Sequence, residues 1–291
     1  MMSDIAQDSK FKGILEENKF FDLETPYGYG GPLYDFTITE QSKLCFMKQM
    51  TAYAVETGII SQFVRFHPLL MNHETAKGIF ETRYLHDTVY IDTRSEDTIV
   101  KNMDSKNRNM IRKAIKNGVQ IIRKDISEYH DFLPIYKETM IKDKATDYYF
   151  FDEDYFKAQM NLKDNACFLY AVQEGKPIAG AIMYYNDKFM HYHLAGTHTV
   201  YRKFAPSNLL LYEAACWANK VGIEKFHLGG GMSQEDNLFG FKKQFNKNGR
   251  LPFVIGRTVF DENKYNELLQ LRKKADDLFD VNNTRMIQYR A

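Results

Sequence analysis

The stretch CFLYAVQEGKPIAGAIMYYNDKFMHYHLAGT, residues 167–197, decides the fold. CFLYAVQ (167–173) and IAGAIMYYN (178–186) are apolar and rich in β-prone residues, and the turn-forming EGKP between them predicts a hairpin. NDK then leads into FMHYHLAGT (189–197), so three antiparallel strands form a meander that no helix interrupts. The period then changes. In SNLLLYEAACWANKVG (207–222), Leu210, Leu211, Ala214, Ala215, Ala218 and Val221 recur at spacings of three and four, as on a helix that lays one face on a sheet. Ser207 stands where an N-cap belongs, just after Pro206, and Gly222 where the helix should end. IEKFHLGGG (223–231) predicts a further strand, giving the order strand, strand, strand, helix, strand and a mixed α/β (α+β) fold.

The 291 residues exceed what one core usually organises, so two domains are expected. Hydrophobic residues make up 44% and charged residues 26%, the composition of an ordinary globular protein. Thirty-nine basic and 38 acidic residues nearly cancel, so no global field argues for DNA or an anionic membrane as partner. The N-terminal MMSDIAQDSK lacks an apolar targeting core and no stretch reaches transmembrane length, which predicts a cytoplasmic protein. Cys45, Cys167 and Cys216 lack paired spacing and are expected to be small core residues.

The first half is less regular. Residues 41–58 predict a helix, IISQFVRF and TVYIDT strands, and residues 97–117 a second helix. Residues 101–124 carry eight Lys or Arg against one Asp, with Arg108, Arg112, Lys113 and Lys116 at helical spacing. That pattern is either a solvated face or a phosphate-binding one. TPYGYGGPLYDF (25–36) holds two prolines, three glycines and three tyrosines, a rigid shaped loop or simply a tight connection. His191 and His193 alternate onto one face of a strand without accompanying ligands, so no metal is expected and the histidines would line a polar cleft. The glycine triplet 229–231 lacks the Lys and Ser/Thr of a phosphate loop.

Four segments together, TPYGYGGP, RNMIRKAIKNGV, RKFAPSNLLLYEAACWANKVGIEKFHLGGG and FGFKKQF, resemble the FemAB-type transferases, which form the interpeptide bridges of peptidoglycan. The resemblance implies tandem domains of the GCN5-related N-acetyltransferase (GNAT) fold. The expected division is residues 1–126 with 250–291 as a first domain, shortened at its N-terminus, and residues 127–249 as a second. It further implies an acyltransferase that makes an amide on an amine of a nucleotide-linked or lipid-linked cell-envelope precursor, with aminoacyl-tRNA as a possible donor and no bound cofactor. Aminolysis of an ester needs a proton acceptor and a positive group for the oxyanion. The family places a lysine after a phenylalanine here, which points to Lys242, then Lys243; Phe241 and Phe245 would anchor the turn and leave Lys242 facing a cleft. Tyr201, Arg202 and Lys203 would meet a nucleotide-linked acceptor, and Arg108 and Arg112 its phosphates or those of tRNA. Tyr27 and Tyr29 would contact substrate, with Gly30, Gly31 and Pro32 fixing the loop, so that Tyr29→Ala would cost turnover and little stability. Asp35 and Glu213 are candidate bases.

Two departures from the family pattern bear on the substrate. Only 24 residues precede the loop, and no sustained heptad run marks a coiled-coil insertion. The phosphate-cradling pattern of acetyl-CoA enzymes falls on Arg202, Ala205 and Ser207, with both glycines replaced and Pro206 removing a donor. An acyl-CoA dependent N-acyltransferase and a non-catalytic binding protein of the same fold therefore stand as alternatives.

Overall fold

The computed structural model describes residues 1–35 and 37–291. Along the chain the elements are β1 (Met2–Asp4), β2 (Phe21–Glu24), α1 (Glu40–Glu56), β3 (Ile59–Arg65), α2 (Asn72–Thr75), β4 (Glu81–Asp92), α3 (Glu96–Asn102), α4 (Ser105–Lys116) and β5 (Gln120–Asp125). They continue with α5 (Phe132–Lys142), α6 (Glu153–Gln159), β6 (Ala166–Gln173), β7 (Lys176–Tyr185), β8 (Phe189–Thr197), α7 (Pro206–Lys220), β9 (Lys225–Gly229), α8 (Asn237–Lys243), β10 (Arg250–Val259) and α9 (Glu262–Ala275). The chain divides into two compact units, Met1–His86 with Pro252–Ala291, and Asp87–Leu251. The first boundary thus falls at 86/87 and not at 126/127. α4 packs on α7, and β5 pairs with β6 from Gln120↔Val172 to Asp125↔Cys167, so residues 87–126 are held by partners of the second unit.

The second unit is built on the predicted meander. Its strand order is β4-β9-β8-β7-β6-β5, with β5 to β8 antiparallel and β8 parallel to β9. Alternation along β6 sends Cys167, Leu169 and Ala171 to one face and Phe168 and Tyr170 to the other. The first face buries Leu209, Leu210, Leu211, Ala214, Ala215 and Ala218 of α7. Each of those leucines contributes about 1.5–3 kcal/mol of burial. The second face carries Phe132 and Tyr136 of α5 and Phe156 of α6.

Local departures from expectation have local causes. The helix expected over 97–117 breaks at Met103, whose backbone is extended, and the Arg108 guanidinium donates to the carbonyls of Val100 and Met103 at the end of α3. α7 starts two residues early with Pro206 at its first position, a place where the missing N–H costs nothing. Ser207 is not the cap; its Oγ bonds Thr197 Oγ1 at 2.8 Å, while Ala205 caps the helix in a left-handed conformation at φ 57°. Val221 falls past the last turn and is 51% exposed. Cys167 and Cys216 are buried as expected, but Cys45 is exposed on α1.

In the first unit β2 runs parallel to β3, which pairs antiparallel with β10, and Tyr265, Leu268 and Leu269 of α9 close a core with Ile5, Phe11, Ile60 and Tyr289. The loop 25–35 is pinned by Asn72. Its Nδ2 donates to the carbonyls of Gly30 (2.9 Å) and Pro32 (3.2 Å) while its Oδ1 accepts from His67 N–H at 2.8 Å. Gly31 adopts φ +94°, and a Cβ there would meet Asn72, Val64 and Phe66 at 3.0–3.1 Å, so a side chain would be both strained and crowded. A polar clamp seals the other end of the unit. Arg290 donates to Asp22 through Nε (2.8 Å) and Nη2 (2.9 Å) and to Asp8 through Nη1 (2.8 Å), and Tyr289 Oη also donates to Asp22 at 3.2 Å.

Asp22 is 7% exposed, so removing its cation strands a buried carboxylate. Arg290→Ala should lower the unfolding free energy by about 2–3 kcal/mol in urea titrations, with Arg290→Lys losing less. A loss under about 0.5 kcal/mol, the range of ordinary surface substitutions, would contradict the clamp.

Candidate active site

β8 and β9 are joined by only three residue pairs, Phe189↔Lys225, Met190↔Phe226 and His191↔His227. Beyond His191 the strands part, β9 ending at Gly229 while β8 runs on to Thr197. A bulge in β8 helps to open the gap: Ala181 faces Ala195 but Met183 faces Tyr192, so an extra residue is inserted at His193–Leu194. Both of those side chains consequently lie on the α5 and α6 side, and the alternation of the rest of β8 is reversed.

The segment after β9 folds into this opening. Asp236 accepts from the N–H groups of Met232 (2.6 Å), Ser233 (3.1 Å) and Phe239 (2.8 Å), capping α8. These backbone donors hold its carboxyl below the usual range although burial works the other way. Gly231 makes the approach possible, because a Cβ there would lie 2.0 Å from Asp236 Oδ1. Phe245 is fully buried and Phe241 packs edge-on to it at 5.5 Å, anchoring α8 as expected.

Lys242 is consequently held inside the unit and is 7% exposed. Its Nζ donates to the Gly230 carbonyl at 2.7 Å and lies 5.8 Å from the centre of the Tyr192 ring. Tyr192 is the first β8 residue beyond the last strand pair and Gly230 the first residue beyond β9, so the ammonium sits at the mouth of the gap. Burial pushes its pKa down to about 8, partly offset by the Asp236 carboxylate. At neutral pH the group remains mostly a cation, and an ammonium has three donors of which one is fixed on Gly230.

On the opposite face of the same strands lies a polar aromatic ladder. His191 Nδ1 and His227 Nδ1 are 3.1 Å apart, and His227 Nε2 meets Thr88 Oγ1 of β4 at 3.0 Å. His193 bonds the Tyr155 hydroxyl at 2.5 Å and stacks on Tyr184 at 4.3 Å, and burial drops its pKa to about 3. The parallel register brings His227 beside His191, and no spacing rule could have shown it. Tyr192 and Asp236 were also missed, although Asp236 three residues before Phe239 is a recognisable cap signal.

The other candidates divide between the units. Lys243 is half-buried in the last turn of α8. Arg202 and Lys203 are exposed in the 3₁₀ turn Thr199–Phe204, where Lys203 covers the Phe204 ring at 5.1 Å and half-buried Tyr201 lies beside it. Arg108 is engaged at the end of α3, and exposed Arg112 reaches Asn109 at 2.9 Å. Glu213 is exposed on α7. In the first unit Asp35 is exposed and accepts from Thr37 N–H and Oγ1, both at 2.9 Å, which holds its carboxyl below its normal range. Gly30 and Gly31 sit in the pinned loop, with Gly30 N–H donating to Arg65 carbonyl at 2.8 Å. Tyr29 packs edge-on to Phe253 at 5.2 Å and His67 at 5.9 Å, and burial raises its hydroxyl pKa; Tyr27 is 39% exposed. Among the described residues no cluster of three His, Cys, Asp or Glu is placed to hold a metal, and no helix is long and apolar enough to cross a membrane.

Two outcomes follow from these placements. Tyr29→Ala should lower stability by about 1–3 kcal/mol, the reverse of the sequence-based expectation, while Tyr27→Ala leaves the melting temperature within about 1 °C. Gly231→Ala should dislodge Asp236 and free α8, seen as fast amide exchange over 237–243 with the β6–β7 hairpin still protected. Unchanged protection in α8 would show that the cap does not position Lys242.

Residues 105–243 match the family described as Acetyltransferase (GNAT) domain. No curated protein matches the chain in sequence. Among solved structures, FemX is similar with a TM-score of 0.64 at 12% identity, over 85% of this chain and 82% of that one. The C-terminal domain of a putative lysylphosphatidylglycerol synthetase from Agrobacterium fabrum follows with a TM-score of 0.57 at 13% identity, over 84% and 79%. L-PGS from Bacillus licheniformis gives 0.54 at 15% identity, over 87% and 82%. The chain therefore has the mixed α/β fold of FemX and is similar over residues 105–243 to the GNAT domain, so the resemblance to the FemAB-type family is borne out in its fold.

Proposed function

We propose that this protein is an aminoacyl or acyl transferase that makes an amide on an amine of a cell-envelope precursor. The observation that carries the reading is the buried ammonium of Lys242 at the mouth of the gap between β8 and β9. An ester carbonyl lodged in that gap would place its oxygen against Lys242. As the acceptor amine attacks, the carbonyl π pair moves onto oxygen, and a cation in a dry setting stabilises that charge far more than water would. Gly230 and Asp236 hold the ammonium in place beforehand, so little reorganisation is needed at the moment of reaction. The likeness to FemX, to the C-terminal domain of a putative lysylphosphatidylglycerol synthetase and to L-PGS supports an envelope precursor, nucleotide-linked or lipid-linked, and an aminoacyl donor. Arg202, Lys203 and Tyr201 are assigned to the acceptor's phosphates and base, and Arg112, with Arg108 partly engaged, to phosphates of a donor such as aminoacyl-tRNA. Lys243 is a secondary cation.

Acyl-CoA fits this site less well. The first turn of α7, where a pyrophosphate would need backbone donors, begins with Pro206, which has none, and Asn208 N–H is turned to the Ala205 carbonyl at 3.2 Å. The Asn208 side chain donates to Asn107 at 2.7 Å inside the unit.

The test is transfer of labelled amino acid from a panel of aminoacyl-tRNAs to UDP-N-acetylmuramoyl pentapeptide and to phosphatidylglycerol vesicles, with acetyl-CoA in parallel. Lys242→Met should lower turnover roughly 10²–10³-fold while its melting temperature stays within about 3 °C, because a buried charge is exchanged for an apolar chain of similar length. Full activity of that variant would overturn the assignment. The folded state disfavours the charged form of Lys242, so between pH 8 and 10.5 the unfolded chain binds more protons. Wild-type stability should accordingly rise relative to Lys242→Met across that window; a flat difference would show that Lys242 is not desolvated.

A further inference from the structure

A cavity of about 430 Å³ opens in the first unit between the start of β4, the end of β10 and α9. All of its lining residues belong to that unit, whereas Lys242 belongs to the other. α9 turns Glu262, Tyr265, Asn266 and Leu269 to it, positions whose spacing places them on one face of a helix. Tyr265 and Leu269 are buried, Glu262 and Asn266 exposed. From β10 comes Arg257, whose Nε donates to Glu81 of β4 at 2.6 Å. Its Nη1 donates to the Met286 carbonyl at 3.0 Å and, at 3.4 Å each, to Tyr265 Oη and Gln288 Oε1. Arg257 Nη2 makes no bond among the described residues and is open to solvent. The side chains of Glu262 and Asn266 likewise have no partner among the described residues. Burial raises the Tyr265 pKa most, Arg257 lowers it and Glu262 raises it, so both charges lie within reach of the one hydroxyl.

Charge decides what such a cavity can hold. Glu81 and Glu262 against Arg257 leave its lining with one negative charge in excess. A phosphate would meet two carboxylates, and a bare cation would meet the guanidinium. A ligand that carries both signs on neighbouring atoms meets neither penalty. We propose that this cavity binds a free α-amino acid, its carboxylate on Arg257 Nη2, its ammonium on Glu262 and Asn266 Oδ1, and its side chain against Ile79 and Leu269. Glu81 and the Met286 carbonyl already fix the guanidinium, so the carboxylate finds its donor in place and little freedom is lost on binding. The volume stands near the lower end of ligand pockets, about 300–1,000 Å³, which suits a ligand of that size. A peptide end carries only one of the two charges and would leave either Glu262 or Arg257 Nη2 unanswered. The site is independent of the Lys242 reading, since it stands whether or not the other unit transfers an acyl group.

Binding is read on the full chain by calorimetry and by amide NMR, with the standard L-amino acids, D-alanine and D-glutamate as probes and inorganic phosphate beside them. At least one amino acid should bind and shift the amide signals of residues 257–269 while those of the β6–β7 hairpin stay in place. The N-acetylated and amidated forms of the best ligand, each lacking one charge, should bind at least roughly 10-fold more weakly. Glu262→Gln removes an exposed carboxylate without a partner, so its melting temperature should stay within about 1 °C while affinity falls by a similar factor. Lys242→Met should bind the amino acid as the wild type does, which separates this site from the transfer reaction. The assignment is overturned if no amino acid binds more tightly than about 1 mM. Blocked forms that bind as well as the free one, phosphate that shifts the same signals in their place, or unchanged affinity in Glu262→Gln would each overturn it too.

Discussion

The parting of β8 and β9 is the constraint on which the candidate site depends. Three residue pairs hold the strands together, the bulge at His193–Leu194 stops the pairing from continuing along β8, and the space that results must be filled by something other than a neighbouring strand. The chain fills its mouth with a lysine. An ammonium placed there loses most of its hydration, and the single carbonyl of Gly230 with the ring of Tyr192 replaces only part of it. The compensation is indirect: Asp236 holds the loop and helix that carry the lysine and lends it a nearby negative charge. Position and electrostatics are therefore one device, and the glycine at 231 is its steric condition.

The two faces of the opened strands have different characters. One holds the cation beside the packed leucines of α7; the other holds a chain of imidazoles and phenols from His227 through His191 and His193 to Tyr155, which stacks on Phe151 at 4.1 Å.

Most of the second unit was legible in the sequence, because its elements are strongly periodic and joined by short turns. The meander, α7 and β9 appear where the apolar spacing put them, and the Phe–Lys pair of the family singled out Lys242, which is buried. The errors have physical reasons. Ser207 was preferred as a cap because propensity knows nothing of Thr197, which takes its hydroxyl. The helix over 97–117 was read as one because Arg108's role in closing α3 depends on three-dimensional contact. Tyr29 was expected to matter little for stability because an aromatic ring in a glycine-rich loop looks exposed until Phe253, more than two hundred residues away, is seen against it. The His191–His227 pair was invisible because it depends on strand register.

The discontinuity of the first unit has a consequence for how the protein is made. Its sequence is interrupted by the whole of Asp87–Leu251, which is continuous and includes every strand of its own meander. On a ribosome the internal unit can therefore finish its core while the outer one still lacks β10, α9 and the Arg290 clamp, with Asp8 and Asp22 waiting for the cation that neutralises them. The segment before Asp87 is translated ahead of its partners in β10 and α9, so it waits for them while the internal unit completes its core.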